Sequence, residues 1–176
     1  MFPWGHFLIA FLPVVTYVVV RDRRLPTLRF VGVVFVGSQF PDMVDKPLAH
    51  QFGILPSGRV FMHSLPIALP LLLIVGLYGW QTDRTRASSA FIFAHLSHIL
   101  ADNYNAFLGP DPQIPPDLLW PFAPPIARPI VPEWAGPGGI NVELWTLFSI
   151  AVLSIVTYSL TVDVREQLRI EREPDS

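Results

Sequence analysis

Residues His95 to Asp102, "HLSHILAD", put two imidazoles and a carboxylate into otherwise apolar sequence. An ionisable group inside a membrane costs roughly 3 kcal/mol on insertion scales, so three so close together call for compensating partners. At about 100° per residue along a helix, His95, His98 and Asp102 fall within an arc of roughly 60° on one face. His98 and Asp102 are an i, i+4 pair, so one metal ion can take both, or one side chain can orient the other. Four more polar residues fall in or beside apolar segments: His6, Asp42, Asp45 and His63. Neutral imidazoles with carboxylates suit Zn²⁺, Mn²⁺ or Fe²⁺, whereas carboxylates alone lean toward Mg²⁺ or Ca²⁺. The chain has no cysteine, which excludes disulfides and thiolate ligands.

Each of these residues also fits an ordinary structural role. His6 lies close to Trp4, as an interfacial residue would. Asp42 follows Pro41 and Asp45 precedes Lys46-Pro47, so either fits a turn or cap. His63 heads an apolar run beside Ser64. His98 with Asp102 fits a hydrogen-bonded contact between helices, and His95 fits a residue that supports a ligand. Arg59, near His63, fits an anion clamp for a group such as phosphate, or a side chain snorkelling to the surface. His50 stands outside the pattern.

The elements that must position these residues read as membrane helices. Of 176 residues, 51% are hydrophobic and 15% charged, with long uncharged runs, the balance of an all-α integral membrane protein. The net charge of −2 offers no basic excess for nucleic acid. Five apolar segments can be drawn, at about 2–20, 28–40, 60–80, 87–108 and 142–162. The second is too short to cross a bilayer core of ~30 Å unless it continues as helix through "PDMVD". Pro66 and Pro70 are expected to kink the third. The first segment has no charge before it and "RDRR" after it; this is the pattern of a retained helix rather than a cleaved signal.

The basic residues set the orientation. With the N-terminus outside, nine arginines (21, 23, 24, 29, 84, 86, 165, 169 and 172) fall on the cytoplasmic side, and only Lys46, Arg59 and Arg128 fall outside. Residues 1–162 then form one embedded domain of about five helices in the cell (inner or plasma) membrane, with lipid as its surroundings. Residues 163–176 form a charged, loosely ordered cytoplasmic tail. Between Leu108 and Ile140 lie ten prolines together with Trp120, Phe122 and Trp134. This composition excludes a regular helix and suits an extracytoplasmic cap over 109–139 at the membrane surface.

Helical rise brings the polar residues to one level. Counting about 1.5 Å per residue, Asp102 is about 24 Å from Arg86, His63 about 26 Å from Trp80, His6 about 22 Å from Arg21 and Asp42 about 20 Å from Arg29. Four segments thus deliver an acid or an imidazole to the same outer depth, where a helical bundle can assemble a metal site from facing side chains.

The motifs "GHFLIA", "PDMVDKP", "GRVFMHSL", "HLSHILAD" and "LLWP", in that order over roughly residues 5–122, resemble those of an inner-membrane family described as metal-dependent and LexA-binding hydrolases. That family is similar in turn to zinc phospholipases C and related single-strand nucleases. The resemblance implies a helical, metal-binding hydrolase with His6, Asp42 or Asp45, His63, His98 and Asp102 as ligands and Arg59 at the site. Two departures stand out. "PDMVD" has two residues between its aspartates rather than one, which leaves the acidic ligand open. Gly58 stands where relatives often have a histidine, which argues against a full set of three metals.

The leading expectation is metal-assisted hydrolysis of a phosphoester, such as a lipid headgroup, with zinc (or manganese or iron), and with Asp45 or Asp42 as general base. One alternative is an ion or proton transporter, against which the single outer level of polar residues argues. The other is a non-catalytic membrane scaffold with a structural metal, which closed coordination by four protein ligands would mark.

Overall fold

A computed structural model describes residues 2–126 and 141–172. The fold is all-α, with no strand among the described residues. It consists of α1 (Pro3–Asp22), α2 (Leu28–Lys46), α3 (Leu65–Gln81), α4 (Thr85–Asp102), the short α5 (Tyr104–Leu108) and α6 (Val142–Arg172). A π-helical turn, Pro47–Gln51, extends α2, and a 3₁₀ turn, Pro116–Leu119, lies in the proline-rich loop.

Local chemistry sets the ends. Pro3 occupies the first turn of α1, where it has no donor to lose. The Thr27 hydroxyl accepts from the Phe30 N–H at 3.3 Å and caps α2. α2 runs on through Pro41 as far as Lys46, so the second segment does continue as helix through "PDMVD". The third segment differs from expectation. Residues 60–64 form turns and α3 starts at Leu65, which puts Pro66 in its first turn; only Pro70 lies inside the helix. The fourth segment breaks after Asp102, where the Asn103 side chain donates to the Ile99 carbonyl at 2.9 Å. The expected loose tail is also corrected, because α6 continues as helix through Arg172.

α2 and α4 form the central pair, with α1 and α3 packed on α4 and α6 on α2. Small residues let the central pair close. A Cβ on Gly37 would meet the Phe91 carbonyl oxygen at 2.8 Å and the Ala94 Cβ at 3.1 Å. Ala10, Val34, Ala90 and Ala94 form a core cluster at this crossing, the small-residue packing by which membrane helices approach closely. α1 and α6 are long and apolar enough to cross a membrane, and α3 is a shorter apolar helix.

At one end of the bundle, Arg86 of α4 pairs with Asp22 of α1 at 2.8 and 3.0 Å. Arg84 pairs with Asp163 of α6. The arginine-rich ends of α1, α4 and α6 therefore gather on one side, as the alternating segments require. At the other end the described part of the proline-rich loop is docked as a cap. Leu118 is buried with Ala68 and Ile99, and Trp120 packs edge-on against Phe61. Trp134 and Arg128 lie outside the described residues.

Candidate metal centre

The end opposite the arginines holds a closed group of polar side chains. Asp42, His63, His98 and Asp102 each offer one ligand atom, and the four atoms lie within 4.8 Å of one another. α2 supplies Asp42, the turns before α3 supply His63, and α4 supplies His98 and Asp102. All four side chains are at most 2% exposed. The i, i+4 spacing in α4 delivers as expected, with His98 Nε2 and Asp102 Oδ2 3.9 Å apart inside the group.

The orientation of the two imidazoles is what matters most. His98 Nδ1 lies 2.6 Å from the Ser38 carbonyl oxygen. A carbonyl can only accept, so Nδ1 carries a hydrogen, and in the neutral ring Nε2 presents a lone pair. That contact depends on the close α2–α4 approach at Gly37, one residue away. His63 Nδ1 lies 2.7 Å from Asp45 Oδ2. Asp45 also accepts backbone N–H groups from Phe61 at 3.0 Å, Met62 at 2.8 Å and His63 at 3.4 Å, so it is an ionised acceptor. His63 Nδ1 therefore donates to it, and His63 Nε2 is the nitrogen turned toward the group. The two Nε2 atoms face each other at 3.1 Å. At that distance the two nitrogens share a proton, or a cation in its place.

The surrounding acids fit a cation too. His63 Nε2 is 3.5 Å from Asp42 Oδ1 and 3.6 Å from Asp102 Oδ2, and His98 Nε2 is 3.8 Å from Asp42 Oδ1. Ligand atoms about 2.0–2.1 Å from a tetrahedral zinc lie roughly 3.3 Å apart. The separations of 3.1–3.8 Å among these atoms bracket that value. Asp42 Oδ1 is buried and accepts no hydrogen bond of good geometry, although the Lys46 ammonium is 3.3 Å away.

The remaining sequence candidates separate by position. The choice between Asp42 and Asp45, open in the sequence, is divided by geometry: Asp42 lies in the four-residue group, and Asp45 holds His63 from behind. His6 lies outside the four but touches them. Its Nε2 is 3.2 Å from Asp102 Oδ1, its ring stacks on His98 at 3.9 Å between centroids, and its Nδ1 is buried without a partner. The Gln39 side chain donates to the Pro3 carbonyl at 2.9 Å and ties the head of α1 to α2. Arg59 grips Asp102 through Nε at 3.0 Å and Nη2 at 3.2 Å; at 24% it is the most exposed side chain of the site. His95 is not in the group. Its Nε2 donates to the Met62 carbonyl at 3.0 Å, and its ring packs among Phe40 and Phe91.

The chain belongs to the YdjM inner membrane protein family. That family matches across residues 1–163, which includes every residue of the group. Its description gives a membrane location and no activity. No curated protein and no solved structure matches the chain.

Two neighbours escaped sequence reasoning. Lys46 counted there only as an outer charge, yet it is 5% exposed, with its ammonium on Asp42 and donating to the Gly58 carbonyl at 3.2 Å. Its i, i+4 spacing from Asp42 was the available signal. His50 also enters: a Cβ on Gly58 would meet His50 Nε2 at 2.7 Å and Lys46 Cδ at 2.9 Å. The glycine makes the room that these two side chains occupy.

Proposed function

We propose that this chain is a multi-pass inner-membrane hydrolase that uses a divalent metal, zinc foremost, to cut a phosphoester at the extracytoplasmic face. The observation that carries this reading is the pair of facing imidazole nitrogens 3.1 Å apart, flanked by two carboxylates. Nine arginines against three basic residues support the N-terminus-outside orientation, and the site uses two of those three, Lys46 and Arg59.

Asp42, His63, His98 and Asp102 would hold the metal. When bound, such an ion supplies Lewis acidity toward a phosphoryl oxygen and toward water. The residues around it have separable tasks. Asp45 fixes the His63 tautomer and raises its basicity; with both oxygens engaged it is a positioning residue rather than a base. The Ser38 carbonyl does the same for His98. Arg59 keeps one edge toward the solvent-exposed mouth and offers the charge and fork geometry that suit a phosphoryl group. The cap segment around Trp120 limits water at that mouth.

A second reading has its own support: four protein ligands would complete a tetrahedral shell, the mark of a structural metal in a non-catalytic scaffold. The deciding experiment is turnover by the zinc-loaded, detergent-purified chain on bis-nitrophenyl phosphate and on phospholipids, run alongside X-ray absorption. Hydrolysis that falls at least tenfold in Arg59→Gln with metal retained, and an oxygen ligand from water, support the hydrolase. No turnover with four protein ligands supports the scaffold.

A further inference from the structure

At the arginine-rich end a second site is built from other residues. A cavity of about 680 Å³ opens between the C-terminal half of α1, the start of α2 and the first turns of α4. Along α1 its lining begins at Pro13, about 10 Å from His6, and its arginine rim lies about 22 Å from His6 at about 1.5 Å rise per residue; it shares no residue with the metal centre. Its volume falls in the range of roughly 300–1,000 Å³ typical of small-molecule sites.

The cavity has two chemistries. Its floor is apolar, with Val14 and Val18 from α1, Phe30 from α2, and Ala90 and Phe93 from α4. Its rim carries three guanidinium groups, Arg21, Arg24 and Arg86, against one carboxylate, Asp22. Asp22 is engaged by Arg86 through both oxygens, and Arg21 is held by the Tyr17 hydroxyl and lies over its ring at 5.7 Å. Arg24 makes no hydrogen bond among the described residues, and Asp22 acts on it through space. The rim therefore keeps a positive excess. The head of α4 adds to it, because Thr85 lines the cavity and the Arg84 side chain gives that helix no cap; the positive end of its dipole faces the same space.

We infer that this cavity binds an anionic phospholipid from the leaflet at the arginine-rich end, with an acyl chain on the Val18–Phe30–Phe93 floor and the headgroup phosphate at Arg21 and Arg24. An apolar slot alone would accept any lipid, and a basic rim alone would accept any anion. Together they select an anionic amphiphile, because basic residues near the headgroup level attract anionic lipid. This site does not depend on the hydrolase reading.

The test is native mass spectrometry of the full chain in detergent, titrated with phosphatidylglycerol and with phosphatidylcholine of the same acyl chains. The expected result is at least tenfold tighter binding of phosphatidylglycerol. That preference is lost in Arg21→Gln/Arg24→Gln and kept in the control Arg23→Gln/Arg29→Gln, which removes two charges from the same end outside the cavity. Ser89→Phe, which fills the cavity without touching charge, should weaken both lipids. Helical circular dichroism and thermal melting serve as fold checks, and Ser89→Phe decides the matter if the double arginine variant fails them. Equal binding of the two lipids overturns the proposal. So does equal loss in the control variant, which means diffuse surface charge. Displacement by inorganic phosphate at lipid-like concentrations also overturns it, since that describes an anion site rather than a lipid site.

Discussion

The two ends of the bundle use charge in opposite ways. At the arginine-rich end, Arg86 with Asp22 and Arg84 with Asp163 are open to solvent on their arginine side. Water and salt screen such pairs, and their worth is small. At the other end, His6, Asp42, Asp45, His63, His98 and Asp102 have almost no exposure, and every proton and lone pair has to be accounted for. Removing one partner of a buried charged group costs about 3–5 kcal/mol because the rest is left uncompensated. The difference teaches where a site can be built: the exposed end gathers the charged ends of three helices, while the buried end is bound by strict complementarity into which a cation would fit.

That contrast can be broken in graded steps. The largest effect is expected from His98→Ala, which removes one of the facing nitrogens; metal affinity measured by competition with a chromophoric chelator should fall by more than a hundredfold. Asp45→Asn leaves all four proposed ligands in place but weakens the acceptor that orients His63. A loss of about 10–100-fold in metal affinity is expected. Gly37→Val acts from outside the site. Its new Cβ meets the Phe91 carbonyl and Ala94, so thermal or denaturant unfolding should show a loss of about 1–3 kcal/mol, with weaker metal binding as Ser38 is pushed from His98. Arg86→Gln should be the mildest. Its shift in melting temperature should be smaller than that of Gly37→Val and should vanish as salt is raised, because the pair it removes is exposed. A proton count sharpens the comparison further. The facing nitrogens must share a proton when no metal is bound, so metal binding at pH 7 should release about one proton, seen as buffer-dependent enthalpy in calorimetry.

Much of this was legible in the sequence, for physical reasons that can be named. Apolar runs and the arginine bias gave the helices and their alternation. Helical rise placed His6, Asp42, His63 and Asp102 at one depth, and the structure brings them together. Three things were not legible. The start of α3 depends on turns over residues 60–64 that present the Phe61, Met62 and His63 N–H groups to Asp45; this is tertiary contact, which periodicity does not encode. The role of Lys46 was hidden because a lysine beside a proline reads as a surface stop. The extension of α6 beyond residue 162 is not visible in the hydropathy, because charge ends an apolar run without ending a helix. Ser38 gave no signal at all, since its contribution is a backbone carbonyl brought into reach by Gly37.

The most direct test of the central claim is elemental analysis of the detergent-purified wild-type chain beside His98→Ala/Asp102→Ala. Near-stoichiometric zinc, manganese or iron in the wild type, absent from the variant at matched helical content, is the predicted result. A folded wild-type chain that carries no transition metal and takes up none on titration would contradict the account, and the facing imidazoles would then be a proton-sharing contact between helices.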